Sequence, residues 1–139
     1  MIFVDTWAWI ALTDKTDQYH AAAREQHQKH LAALRRYVTS DYVLTEFINY
    51  LYSSVPSDQA QTVVESLFQQ SQAGSIELIH VSADQFNRAW QLRKKYHDKP
   101  AISLIDFTSF IVMRDLGITD VFSGDAHFLQ VGLGFRLLP

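Results

Sequence analysis

The sequence predicts an α/β fold in which helices cover a parallel sheet. Two observations predict it. Short apolar runs of strand length alternate with longer segments of helical periodicity through almost the whole chain, the pattern that β-α-β units leave in a sequence. The first run, Ile2-Phe3-Val4, is apolar at every position, as expected of a central parallel strand buried on both faces. At 139 residues and 47% hydrophobic, the chain is large enough to bury a core, and residues 1–139 read as one domain.

The elements follow in order. After Ile2–Val4 the chain turns polar at Asp5 and Thr6, and Trp7, Trp9 and Ile10 begin a first helix. Residues 17–36 place Tyr19, Ala22, Ala23, Leu31 and Leu34 among charged and amide side chains, which predicts an exposed amphipathic helix capped by Asp17. Tyr37 to Ser40 has strand character, and a strongly apolar helix runs from about Tyr42 to Tyr52 before Pro56 breaks it. Ser57 and Asp58 open a further helix that Gly74 stops. Ile76 to Val81 is a strand, and Ser82 caps a helix that ends in the basic run Arg93, Lys94, Lys95. Ile102 to Leu116 is the most apolar helix, and Gly117 ends it. Val121-Phe122 and Phe135 to Leu138 are the last strands. In such a sheet the functional groups gather at the carboxyl edge of the strands.

Composition narrows the chemistry. There are no cysteines, so disulfides, thiolate metal sites and cysteine nucleophiles are excluded, and a reducing cytoplasm is the expected compartment. An acidic residue at position 5 interrupts the amino terminus before any signal-like run, and no stretch approaches the roughly 20 apolar residues of a membrane span. The net charge of −3 argues against a protein that holds nucleic acid by bulk electrostatics, although acids converging on divalent cations reverse the local sign.

Three acids stand in unexpected places, because taking a carboxylate out of water costs several kcal/mol unless it is paired or metal-bound. Glu46 lies in Tyr-Val-Leu-Thr-Glu-Phe-Ile-Asn-Tyr, where its helical neighbours Tyr42, Val43, Asn49 and Tyr50 form a mostly apolar face. Asp106 is more extreme, with Ile102, Ser103, Ser109 and Phe110 around it and no basic residue nearby in sequence. Asp5 ends the first strand; Asp125 ends a later one, so both emerge at the same edge of a parallel sheet. Singly, Asp5 and Asp125 also suit the role of helix caps, and Glu46 that of a partly exposed helical residue. Together, four acids at one edge suit Mg²⁺ or Mn²⁺, since like charges packed without a cation repel.

The runs Phe3-Val4-Asp5-Thr6, Thr39-Ser40 leading to Val43-Leu44-Thr45-Glu46, Ser103-Leu104-Ile105-Asp106 continuing to Met113, and Phe122-Ser123-Gly124-Asp125-Ala126-His127-Phe128 resemble, in order and spacing, the PIN-domain family and its VapC-type toxins of toxin–antitoxin modules. The resemblance spans nearly the whole chain. It implies a three-layer α/β/α sandwich around a five-stranded parallel sheet, and metal-dependent endonucleolytic cleavage of RNA. Carried over by position, Asp5, Glu46 and Asp106 are the core acids and Asp125 the fourth, holding Mg²⁺ or Mn²⁺. Thr6, Asn49 and Ser123 fall where side chains orient a ligand or a metal-bound water. A cognate antitoxin protein, an RNA substrate and a homodimer are the partners it implies.

Other features invite different readings. His20, His27 and His30 have helical spacings that suggest zinc, but a solvated face rich in Gln, Arg and Lys is the simpler account. His127 follows Asp125 closely and is expected to pack or cap the turn near Phe128. Arg93, Lys94 and Lys95, with Tyr96, His97 and Lys99, are the best candidates for RNA backbone contact, against a helix end that complements the dipole. Two other functions compete. A phosphatase of the haloacid dehalogenase type also begins with a strand ending in Asp, but its second Asp is replaced here by Trp7. A catalytically inactive PIN-like module that binds protein or RNA is the other.

Overall fold

The computed structural model describes residues 1–138 and contains a five-stranded, wholly parallel sheet with seven helices among those residues. In chain order the elements are β1 (Ile2–Val4), α1 (Thr6–Thr13), α2 (His20–Ala32), β2 (Tyr37–Ser40), α3 (Asp41–Ser54), α4 (Ser57–Gln72), β3 (Ile76–Ile79), α5 (Ala83–Lys95), α6 (Leu104–Leu116), β4 (Asp120–Phe122), α7 (His127–Gln130) and β5 (Arg136–Leu138). The strand order is β3-β2-β1-β4-β5, so the wholly apolar β1 is central, as its composition predicts. Phe3 is in register with Val38 on one side and Val121 on the other.

Helical crossovers carry the chain outward from β1 through β2 to β3, then back across the sheet to β4 and β5. Two aromatic clusters result. Trp9, Phe47, Tyr37, His30 and Phe122 pack where α1, α2 and α3 meet the sheet. Tyr96, Phe107, Phe110, Phe128 and Phe135 pack among α5, α6, α7 and the segment before β5. Six phenylalanines, at 3, 47, 107, 110, 122 and 128, are fully buried. Burying each is worth about 1.5–3 kcal/mol, and because two stand on β1 and β4 and four on α3, α6 and α7, they pin helices to the sheet.

The element boundaries differ from expectation in instructive ways. The helix expected over 17–36 is shorter: Asp17 accepts from the Tyr19 amide at 2.8 Å in a tight turn, the helix starts at His20, and Leu34 breaks it with φ of +56°. Its face is also not solvated throughout. His30 is buried, and both His27 Nδ1 and His30 Nδ1 lie 2.9 Å from the Tyr37 hydroxyl, while His20 Nδ1 lies 2.8 Å from the Ala11 carbonyl. Each of the three histidines therefore has a protein partner, Tyr37 being shared by two of them, and they form no metal-ligand group among the described residues. The apolar helix after Pro100 starts at Leu104, because Ser103 caps it. Gly117 ends it with φ of +68°, a left-handed conformation that favours glycine. No helix among the described residues is long and apolar enough to cross a membrane.

Candidate active site

β1 and β4 are adjacent and parallel, so the residues that follow them emerge together. Asp5 is only 4% exposed. It occupies the cap position of α1, but its side chain makes no capping hydrogen bond; instead its Oδ2 accepts from Ser123 Oγ at 2.9 Å, across the two strand ends. Ser123 Oγ also accepts from the Asp125 amide at 3.0 Å, which ties the turn after β4 to the Asp5 carboxylate. Asp125 Oδ1 accepts from the His127 amide at 2.9 Å, so this acid does serve the local turn, as the capping alternative anticipated.

Asp106 arrives from a different direction. It is the third residue of α6 and reciprocates with the cap: Ser103 Oγ accepts from the Asp106 amide at 3.1 Å, and Asp106 Oδ2 accepts from the Ser103 amide at 3.0 Å. That box fixes the carboxylate's rotamer while the apolar face of α6, from Phe107 to Met113, is buried in the core. The acid is 9% exposed. An ordinary capping box would leave a carboxylate at the solvent rim, whereas here the same box holds it inside.

The electrostatics register the convergence. Burial pushes the Asp5 carboxyl up to about 7, with Asp106 and, more weakly, Asp125 adding repulsion against the hydrogen bond from Ser123. Burial also raises Asp106, against the Ser103 amide, and Asp125 adds to the rise. An acidic group raised by its acidic neighbours is the signature of a site that lacks its counter-charge.

His127 reaches into this cluster. Its Nδ1 lies 3.2 Å from Asp106 Oδ2 and 3.1 Å from Asp125 Oδ1, so one imidazole bridges two of the acids. The sequence reading placed this side chain in packing or capping; the structure instead aims it at the carboxylates. Asp106, Asp125 and His127 each offer one donor atom, all within 4.8 Å of one another. The signal was present in sequence as an imidazole two positions beyond an acid, within the span of one turn.

Glu46 and Asn49 are not among those three donors. Both are exposed, which corrects the expectation of an apolar face around Glu46. The physical reason is helical phase: α3 buries Val43, Leu44, Phe47 and Leu51, and Glu46 lies off that stripe. Thr6 and Ser123 are buried, the latter bonded as described. Thr6 Oγ1 and Ser109 Oγ are buried with no hydrogen-bond partner. Thr6 follows Asp5 and Ser109 stands one helical turn from Asp106, so each orphaned hydroxyl belongs to the element that presents an acid. Buried unsatisfied hydroxyls cost about 1–3 kcal/mol each and are rare without a ligand or water to serve them.

Trp7 lies beside the same edge. Its indole packs so closely over Gly124 that a Cβ there would overlap the Trp7 ring. A large apolar plate thus occupies the position where a second acid of the dehalogenase-type phosphatase would stand.

Residues 2–133 match the PIN domain family. This chain belongs to the PIN-domain family. The phosphatase alternative is thereby excluded, in agreement with Trp7. The PIN domain is 35% identical over 132 residues to the 23S rRNA-specific endonuclease VapC20 of Mycobacterium tuberculosis, covering 95% of both chains. It superimposes on the crystal structure of that organism's VapC20, described as a sarcin-ricin loop cleaving toxin, with a TM-score of 0.79 and 29% identity, covering 98% of this chain and 99% of the other. The same fold appears in VapBC2 of Rickettsia felis bound to a promoter DNA fragment, with a TM-score of 0.69 and 18% identity over 99% of this chain and 98% of that one. FitAcB of Neisseria gonorrhoeae shares the fold with a TM-score of 0.68 and 17% identity over 100% and 97%.

Proposed function

We propose that this PIN domain is a divalent-metal-dependent endoribonuclease, acting as the toxin of a toxin–antitoxin pair, with Asp5, Asp106 and Asp125 as the acids that hold Mg²⁺ or Mn²⁺. One observation carries the reading: Asp106, 101 positions from Asp5 in sequence, comes close enough in the fold to push the buried Asp5 carboxyl up, and Asp125 pushes up both. The donor set fits a hard cation, since carboxylate oxygens and waters suit Mg²⁺ and Mn²⁺. The orphaned Thr6 and Ser109 hydroxyls fit as partners for its bound waters. A cation bound there supplies Lewis-acid activation of water and charge neutralisation at a phosphodiester.

The chain's own residues do the rest. Ser123 and the Ser103 cap hold the Asp5 and Asp106 carboxylates in fixed rotamers, so no reorganisation is needed when phosphate arrives. His127 links Asp106 to Asp125 through one ring nitrogen, and its amide ties it to the turn that carries Asp125. Glu46 is an exposed acid on α3 and stays in the proposed set as a fourth carboxylate, with Asn49 one turn further along the same helix.

The substrate class follows from the relative that is 35% identical over nearly its full length and is named for 23S rRNA cleavage, which supports a ribosomal stem-loop as substrate. Two structures that share the fold are of VapBC assemblies, which supports an antitoxin partner for this chain as well. The test is incubation with a 23S rRNA stem-loop in Mg²⁺, in Mn²⁺ and in excess chelator, comparing wild type with Asp5→Asn, Glu46→Gln and Asp106→Asn. Asp106→Asn is expected to abolish cleavage, at least 100-fold, while melting cooperatively. Undiminished cleavage by that variant, or in chelator, refutes the metal-site assignment, and RNA binding without cleavage by wild type in either metal favours the inactive-module alternative.

A further inference from the structure

The basic run at the end of α5 forms one wall of an open cleft of about 420 Å³ lined by Trp90, Arg93, Lys94, His97 and Pro100. Trp90 is 47% exposed although it is the largest side chain on the helix. An exposed Trp face flanked by cations on a rigid frame is a stacking platform rather than a core residue displaced by accident. The Lys94 ammonium stands 5.9 Å from the Trp90 ring, and neither Lys94 nor Lys95 has a carboxylate partner among the described residues. Lys99, by contrast, pairs with Asp98 at 3.2 Å.

The frame is rigid because Arg93 is spent on structure. Its guanidinium donates to the carbonyls of Ile102, Tyr96 (2.6 Å) and Lys99 (2.8 Å) and lies over the Phe107 ring at 4.8 Å. Those bonds clamp the segment between α5 and α6. The same segment runs directly into Ser103, whose amide holds Asp106. Pro100, on the cleft wall, is three residues from Ser103, and three residues span at most about 10–11 Å. The cleft and the carboxylate site are therefore neighbours on one clamped loop.

We infer that this cleft is a nucleotide subsite for the RNA strand flanking the scissile phosphate, in which one base stacks on Trp90 and its phosphates lie against Lys94 and His97. The inference rests on the ribonuclease reading of the carboxylate site. Charge complementarity alone fits an acidic peptide equally; adjacency to Asp106 selects the nucleic acid. A stack on Trp90 accepts any base, so the subsite adds affinity and register rather than sequence choice.

The test measures RNA binding apart from cleavage. A fluorescein-labelled sarcin–ricin stem-loop RNA is titrated in excess chelator against wild type, Trp90→Ala, Trp90→Phe and Lys94→Ala, with poly-glutamate as a parallel probe. Trp90→Ala is expected to raise Kd by about 5–150-fold, the range for one lost base stack, and Trp90→Phe to recover most of the loss. Intrinsic Trp fluorescence is expected to be quenched by RNA in wild type and not in Trp90→Phe. Melting temperatures should be unchanged, because Trp90 is half exposed. In Mg²⁺ the same variant should raise KM with kcat retained. A wild-type Kd in Trp90→Ala with wild type binding RNA overturns the subsite alone. Unchanged RNA binding with lost poly-glutamate binding assigns the cleft to an acidic protein. Failure of wild type to bind or cleave RNA overturns the ribonuclease reading and this subsite with it.

Discussion

Replacing Asp5 by Asn should make the metal-free protein more stable, and by an amount that depends on pH. Asn keeps the shape of the side chain and an oxygen to accept from Ser123 Oγ, while removing the charge that burial and Asp106 oppose. The difference between an ordinary carboxyl value of 3.8 and about 7 corresponds to about 4 kcal/mol at 1.36 kcal/mol per pKa unit. A group raised in this way stabilises the fold fully below its ordinary value and loses that contribution as pH rises through about 7. Water entry and relaxation reduce the figure, so about 2–4 kcal/mol is expected at pH 8 in chelator, shrinking below about 1 kcal/mol at pH 4 where wild type is itself protonated. At about 4 °C per kcal/mol for a chain of this size, the melting temperature of Asp5→Asn should exceed wild type by about 8–16 °C at pH 8. Scanning calorimetry from pH 4 to 8 measures it. Adding Mg²⁺ or Mn²⁺ should raise the wild type and narrow the gap, since a ligand that binds only the native state stabilises it. A variant equal to or below wild type at pH 8, or a gap that does not change with pH, would show that Asp5 is not an uncompensated acid in a shared site.

Two further outcomes probe the frame around the acids. Gly124→Ala should lower the melting temperature, costing about 1–3 kcal/mol, and reduce kcat by about 10–100-fold, because the new Cβ displaces either Trp7 or the turn that carries Ser123 and Asp125. Adding Trp7→Ala to that chain should recover part of kcat, and a kcat that falls additively in the double variant rules out the steric account. Asp120 offers a control at the opposite end of the sheet: it is 7% exposed and bonded to Arg35 at 2.7 Å and to Arg136 at 2.8 Å. Its hydrogen bonds from Arg136, then Arg35, hold its carboxyl below the usual range, so its contribution is present above about pH 4 and lost as pH falls further. Asp120→Asn should therefore cost about 1–3 kcal/mol at pH 7, measured by denaturant midpoint, with cleavage unchanged; a loss of cleavage would mean the two ends of the sheet are coupled.

What the sequence alone determined is the order of elements, the two strands whose ends carry Asp5 and Asp125, and the anomaly of Asp106 on an apolar helix. These are legible because strand length, helical period and caps such as Ser82, Ser103 and Gly117 are local properties, set within a few residues of chain. Asp120 and Asp106 look alike to a reader of composition, yet one faces two arginines and the other a second acid and an imidazole. Only the packing of β1 beside β4 and of α6 above them made that difference, since a carboxylate's environment is fixed by neighbours distant in sequence. The same holds for Glu46, where the phase of α3 against its neighbours turned an apparently buried acid outward, and for His127, which a turn of the chain placed between Asp106 and Asp125.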